Sequence, residues 1–165
     1  MNHTTTSTNV RRALVLLGAA VLTSAVAAPS ASAAARPAID MQGTGTYTNE
    51  ADGSVTVRGT IANRPFSGQF TAVLAADDGT LPEPGVCKPA TASIRAVGAH
   101  RQFLEATGTG TVCGHWVQLP YIVTESFTGR YTVSDASNRR LEQTDGFIEV
   151  RLGDDGSASA GLFDS

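Results

Sequence analysis

Histidine and cysteine are scarce in this chain, at three and two residues, and it carries a single tryptophan. A zinc centre needs several His, Cys, Asp or Glu side chains converging on one ion. Apart from His3 near the start, only His100 and His115 are present, so no metal and no other cofactor is expected. There is no C-x-x-C pair for dithiol redox chemistry and no G-x-S-x-G elbow to present a nucleophilic serine. Gly108-Thr109-Gly110 lies in a strand-like context without the helix on which phosphate cradling depends. The acidic pairs Asp77-Asp78 and Asp154-Asp155 lack the alternating oxygen ligands of a calcium loop. Charge is sparse too, at 16% of residues, with acids in excess and a formal net charge of -3. Beyond residue 12 the basic residues are scattered, Arg139-Arg140 being the one adjacent pair. That distribution argues against a nucleic-acid or anionic-membrane partner.

What is present begins with an export signal. Arg11-Arg12 precede an uncharged Ala/Leu/Val stretch over residues 13–28, followed by Pro29 and the small residues Ala31-Ser32-Ala33. Positive charge, apolar run and small-residue cleavage site in that order define a secretory signal peptide. Thr23, Ser24 and Pro29 interrupt the run, which falls short of the roughly 20 apolar residues of a membrane-spanning helix. No later stretch suits a span, and Cys87 is too far along the chain for a lipid anchor. Residues 1–33 are therefore expected to be a leader, cut after Ala33 or alternatively Ala35, by the general or the twin-arginine route. The product is expected to be secreted, with no membrane attachment. An Ala-rich leader and a Gly/Thr/Ala/Arg-leaning remainder resemble the exported proteins of GC-rich, Gram-positive bacteria.

Residues 34–165 number 132, enough for one domain with a modest core and a short flexible N-terminal segment, too few for two. Without Arg11 and Arg12 the balance falls to ten basic against fifteen acidic residues. A monomer or weak dimer is expected. Cys87 and Cys113, 26 positions apart, meet an oxidising environment after export and are expected to form a disulfide. A loop of that size implies about 3 to 4 kcal/mol of stabilisation through chain entropy.

Beyond Asp40, segments alternate with period two or are rich in Thr, Val and aromatic residues, and the gaps hold Gly, Asp, Asn or Pro. This pattern predicts an all-β domain. Strands are expected over residues 43–49, 54–62 and 66–76, with Asp52-Gly53 making the first hairpin turn. Further strands fall at 91–97 and 101–112, with a short helix over 101–106 as the local alternative. Residues 116–123 and 125–133 form one long strand or two, and 140–143, 146–152 and 157–163 complete the set. The proline-rich segment 81–89 reads as a loop fixed by the disulfide. About eight strands close as a small antiparallel barrel or, alternatively, pack as a sandwich; glycines on inner faces, Gly59, Gly68 and Gly129, suit the bent strands of a barrel. The stretch from Phe66, Phe-Ser-Gly-Gln-Phe-Thr, recurs loosely as Phe-Thr-Gly-Arg-Tyr-Thr from Phe127.

Two constellations are candidates for function. Glu125 shares parity with Phe127 and Tyr131, so an unbroken strand turns its carboxylate toward the apolar interior, where a proton donor or acceptor can be tuned. Glu105 is expected to share a face with Phe103, and two carboxylates over one cavity can divide acid and base roles. A bulge at Pro120 or Thr124 would shift Glu125 by one register step. The second constellation is a surface: Trp116, with His115 and Tyr121, makes a rigid platform for an extracellular protein, glycan or small molecule. A non-enzymatic binding module is the leading reading. The alternatives are a small-barrel enzyme of lyase, isomerase or hydrolase type and an inhibitor presenting residues 81–89.

Overall fold

In the computed structural model, which describes residues 38–117 and 123–165, each strand pairs antiparallel with the next and the eighth returns to the first. The strands are β1 (Asp40–Asn49), β2 (Val55–Arg64), β3 (Gly68–Ala76), β4 (Cys87–Gly98), β5 (Phe103–Gly114), β6 (Val123–Ala136), β7 (Asp145–Gly153) and β8 (Ser157–Asp164). The β1–β8 ladder, from Asp40 opposite Phe163 to Thr46 opposite Ser157, closes the barrel. Among the described residues there is no helix. The expected leader with its cleavage sites, and Tyr121, lie outside the described residues.

Alternation supplies the interior. Val55, Val57 and Ile61 of β2, Phe70, Ala72 and Leu74 of β3, Ile148, Val150 and Leu152 of β7 and their counterparts are buried while most of their neighbours are exposed or half-buried. An eight-stranded barrel has an interior just wide enough for side chains to fill, so large residues fit only where facing ones are small. Phe70 lies between Gly59 of β2 and Ala96 of β4. Tyr131 lies between Gly108 of β5 and Gly146 of β7.

This pairing explains the recurrence between Phe66 and Phe127. In each copy a glycine, Gly68 or Gly129, faces a glycine on one neighbour and an isoleucine on the other, and an aromatic follows two residues later. The partner glycine lies on the following strand for β3 and on the preceding strand for β6. A tandem duplication would preserve strand order, so the two stretches are one packing solution reached twice.

Closure depends on backbones that approach more closely than side chains permit. Gly45 faces Gly59 across β1–β2, and Gly110 faces Gly129 across β5–β6, four strands further round the ring. A methyl group at Gly45 would overlap the Arg58 carbonyl, and one at Gly110 the Thr128 carbonyl. Strands can therefore coil sharply on two opposite sides.

The structure departs from the sequence reading in the connections. Residues 101–106 hold no helix: His100 and Arg101 take left-handed backbone angles (φ 53° and 61°), and Gly98 donates to the Gln102 carbonyl at 2.8 Å, making a tight β4–β5 hairpin. Residues 140–143 are not a strand. The Asn138 side chain accepts from the Arg140 amide at 3.1 Å and the segment curls so that Leu141 plugs that end of the barrel. β4 starts at Cys87, earlier than expected, and tolerates Pro89 because the missing donor faces beyond the end of β3, where the Pro89 carbonyl accepts from Asp77 at 3.0 Å. Inside, the Tyr131 hydroxyl is buried without a hydrogen-bond partner among the described residues. Burial first, then the charges of Asp164 and Asp145, push its pKa well up, so the phenol stays protonated.

Gly45 and Gly156 test the closure argument. Gly45→Ala is expected to cost about 2–3 kcal/mol because the added carbon meets backbone that cannot yield. Gly156 has φ 81° but open space around it, so Gly156→Ala should cost only about 1 kcal/mol, the penalty of a left-handed alanine. Urea unfolding of both variants gives the comparison, and equal losses would refute it.

Candidate functional site

The end of the barrel where β3, β5 and β7 finish carries the two longest connections of that rim, residues 77–86 and 115–122. The first is tied by backbone to the end of β5: Gly85 donates to the Gly114 carbonyl and Gly114 to the Val86 carbonyl, both at 2.9 Å, and Pro84 bridges to Gly114. Gly114 cannot carry a side chain, since a Cβ would overlap the Glu83 carbonyl. Beneath this junction Cys87 and Cys113 sit directly opposite each other in the β4–β5 ladder and form the expected disulfide, with Cα atoms 4.0 Å apart. An intramolecular disulfide is compatible with an extracellular location.

A second clamp holds the front of the 77–86 connection. Lys88, the chain's one lysine, points from the barrel rim and donates to Asp78 Oδ2 and Thr80 Oγ1, each at 2.7 Å. Asp78 also accepts from the Thr80 amide at 3.1 Å. The Lys88 hydrogen bond, then the Thr80 amide, hold the Asp78 carboxyl below its ordinary value of 3.8. Leu81 packs against the core between the two clamps and Pro82 is buried.

On this fixed base stands Trp116, 72% exposed, with Val86 and Val117 at 42% and 44%. Its indole Nε1 lies beside Gly85, 3.7 Å from where a Cβ would be. Next to it His115 is anchored at both ends: its amide donates to the Thr124 carbonyl at 2.7 Å and its Nε2 hydrogen-bonds Ser126 Oγ at 2.6 Å. The structure thus joins Trp116 and His115 to the proline loop in one cluster at the rim, the crown, where Trp116, Val86 and Val117 are exposed. Sequence reasoning located Trp116 and His115 but missed Val86, Val117 and the Lys88–Asp78 clamp. A lone lysine eight residues after an Asp-x-Thr turn was the available signal.

The carboxylate pair does not assemble. β5 buries Leu104 and Ala106, so Phe103 and Glu105 face outward, opposite to the expected parity. Glu105 forms a cross-strand ion pair with Arg95 at 2.7 Å. The turn at residues 99–102 fixes this phase, which the sequence alternation alone left one step ambiguous. Glu125 keeps the parity of Phe127, because the β6–β7 irregularity falls between Val123 and Glu125, on its N-terminal side. It sits half-buried at the crown rim and accepts a hydrogen bond from Thr124. Glu105 and Glu125 lie nine ladder rows apart, about 30 Å at the usual rise per residue, whereas paired acid and base carboxylates stand within about 10 Å.

Beside Glu125, Tyr47 reaches from β1 across β8 and donates to the Gly153 carbonyl at 3.0 Å. Burial raises its pKa, reinforced by the nearby charges of Glu125, Asp154 and Asp155. Tyr47 therefore acts as a neutral strap over the rim. Two grooves lie on the outer wall, one of ≈ 440 Å³ over β1, β2, β7 and β8 and one of ≈ 580 Å³ over β2–β4. Neither is lined by Glu125 or Trp116. No protein-family model, curated protein or solved structure matches the chain.

Two measurements follow from the crown. Cys87→Ser with Cys113→Ser should lower unfolding free energy by about 3 to 4 kcal/mol; a loss under about 1 kcal/mol would show that the ladder alone holds the loops. Asp78 has a depressed folded pKa, so its contribution is present above 3.8 and is lost as pH falls through the lower folded value. In Lys88→Met, its carboxyl resonance should titrate back toward 3.8, and an unshifted midpoint would remove the lysine as the cause.

Proposed function

We propose that this protein is an exported, monomeric binding module that recognises an extracellular protein through the crown of its disulfide-closed barrel. The observation that carries the reading is Trp116, 72% exposed beside a 77–86 connection already fixed by a disulfide, backbone bridges and the Lys88 clamp. A large aromatic on a pre-ordered base contributes area at little conformational cost, and tryptophan is among the residues that dominate protein interfaces. Val86 and Val117 extend the apolar surface around it. An exposed tryptophan beside two exposed valines is the kind of surface that protein partners bury. Export rests on the leader of residues 1–33 and agrees with the disulfide; the leader and composition together suggest a bacterial source.

The test is affinity capture from the producing cell's extracellular medium, wild type and Trp116→Ala in parallel. Trp116→Ala should melt within about 2 °C of wild type and bind the captured partner at least about tenfold more weakly. Matching losses of folding and capture would assign the indole to the core. Undiminished capture would remove it from the interface.

A further inference from the structure

On the opposite side of the ring from the disulfide, outward side chains fall into rows set by the register of β1, β8 and β7. Gln42, Gly161 and Glu149 form one row; Thr44, Ser159 and Arg151 form the next. Short residues in the middle and longer ones at the side shape the ≈ 440 Å³ trough. Phe163 closes one end. The edge of its ring lies over Gly161, where a Cβ would stand 2.6 Å from Phe163 Cζ, so the glycine is what lets the ring settle on the sheet with its other side partly exposed. Across the trough Arg151 donates through Nε to Glu149 Oε1 at 2.8 Å, and Nη2 bonds the same oxygen. Glu149 and Arg151 both line the trough, a carboxylate and a guanidinium held side by side as acceptor and donor.

An aromatic ring beside a self-neutralised donor and acceptor pair, an amide and a floor of hydroxyls matches one ligand chemistry in particular. A pyranose has an apolar C–H face that packs on an aromatic ring, and its adjacent hydroxyls each donate and accept. The ion pair cancels its own charge, so the trough favours neither an anion nor a cation. The acidic balance of the chain further disfavours a nucleic-acid strand stacked on Phe163. The volume lies in the range of small-ligand sites.

We propose that this trough binds a neutral oligosaccharide, with Phe163 stacking on a sugar ring and Gln42, Glu149 and Arg151 taking its hydroxyls. The site shares no residue with the crown, so the two stand or fall separately. The experiment titrates the full disulfide-bonded protein, isotope-labelled for amide NMR, with cellohexaose, maltohexaose and chitohexaose, and with a short oligothymidine as the stacking control. One of the sugars should give saturable shifts at the Gln42, Thr44, Ser159 and Gly161 amides. Phe163→Ala and Arg151→Ala should each weaken that binding at least about tenfold, while Trp116→Ala leaves it unchanged. Arg151 is an exposed outer-wall residue, so its variant stays informative if Phe163→Ala misfolds. No saturable shift with any of the three sugars, shifts centred on the crown, equal binding of oligothymidine, or undiminished affinity in folded Arg151→Ala would each overturn the proposal.

Discussion

Pairing β8 onto β1 is the interaction on which the other features depend. It removes both free sheet edges and fixes the circumference, and a ring of eight strands is narrow enough for side chains to fill. Everything inside then becomes a problem of complementary volume. Phe70 and Tyr131 are accommodated by the glycines and alanine flanking them, and the glycine pairs at 45/59 and 110/129 permit the curvature that closure demands.

The rim is built by the same logic. Strands that end in register leave their ends close together, so one disulfide, one glycine junction at Gly114 and one lysine suffice to fix the 77–86 connection. Each restraint acts on a different point of the 77–86 connection: Lys88 at its front, Leu81 in the middle, and Gly114 with Cys87 at its end. The proline loop beside Trp116 is therefore ordered before any partner arrives, which lowers the entropy lost on binding. Tyr47 performs a related task on the far side of the rim by spanning from β1 to the β7–β8 turn.

Much of the fold was legible in the chain. Period-two alternation located β2 and β7 at residues 54–62 and 146–152, and inner-face glycines favoured the barrel over the sandwich for a reason the ladders bear out. What failed was phase and connection. Alternation assigns two faces but does not say which is inner, and a four-residue hairpin with two left-handed residues at 100 and 101 set β5 one step away from the expected parity. Glu105 moved outside with it. At 140–143 a single leucine among polar residues looked like a short strand, whereas its burial comes from a curled turn. Trp116 was visible because it is unique and close to Cys113; Val86 and Val117 were not, because exposed valines in a loop carry no periodic signal. The outer-wall trough depends on register across β1, β8 and β7, which alternation within single strands cannot supply.

The β1–β8 ladder joins Asp40 to Phe163, the longest separation along the chain of any strand pair. Contacts between such distant residues come late and slow the folding of β proteins. Until β8 is in place, β1 and β7 both present unpaired backbone, so an emerging chain is at its most adhesive just before its final strand arrives. Nicking or loss of residues 157–164 would consequently do more than shorten the protein: it would turn a particle with no edges into an open sheet with two, ready to pair with its neighbours.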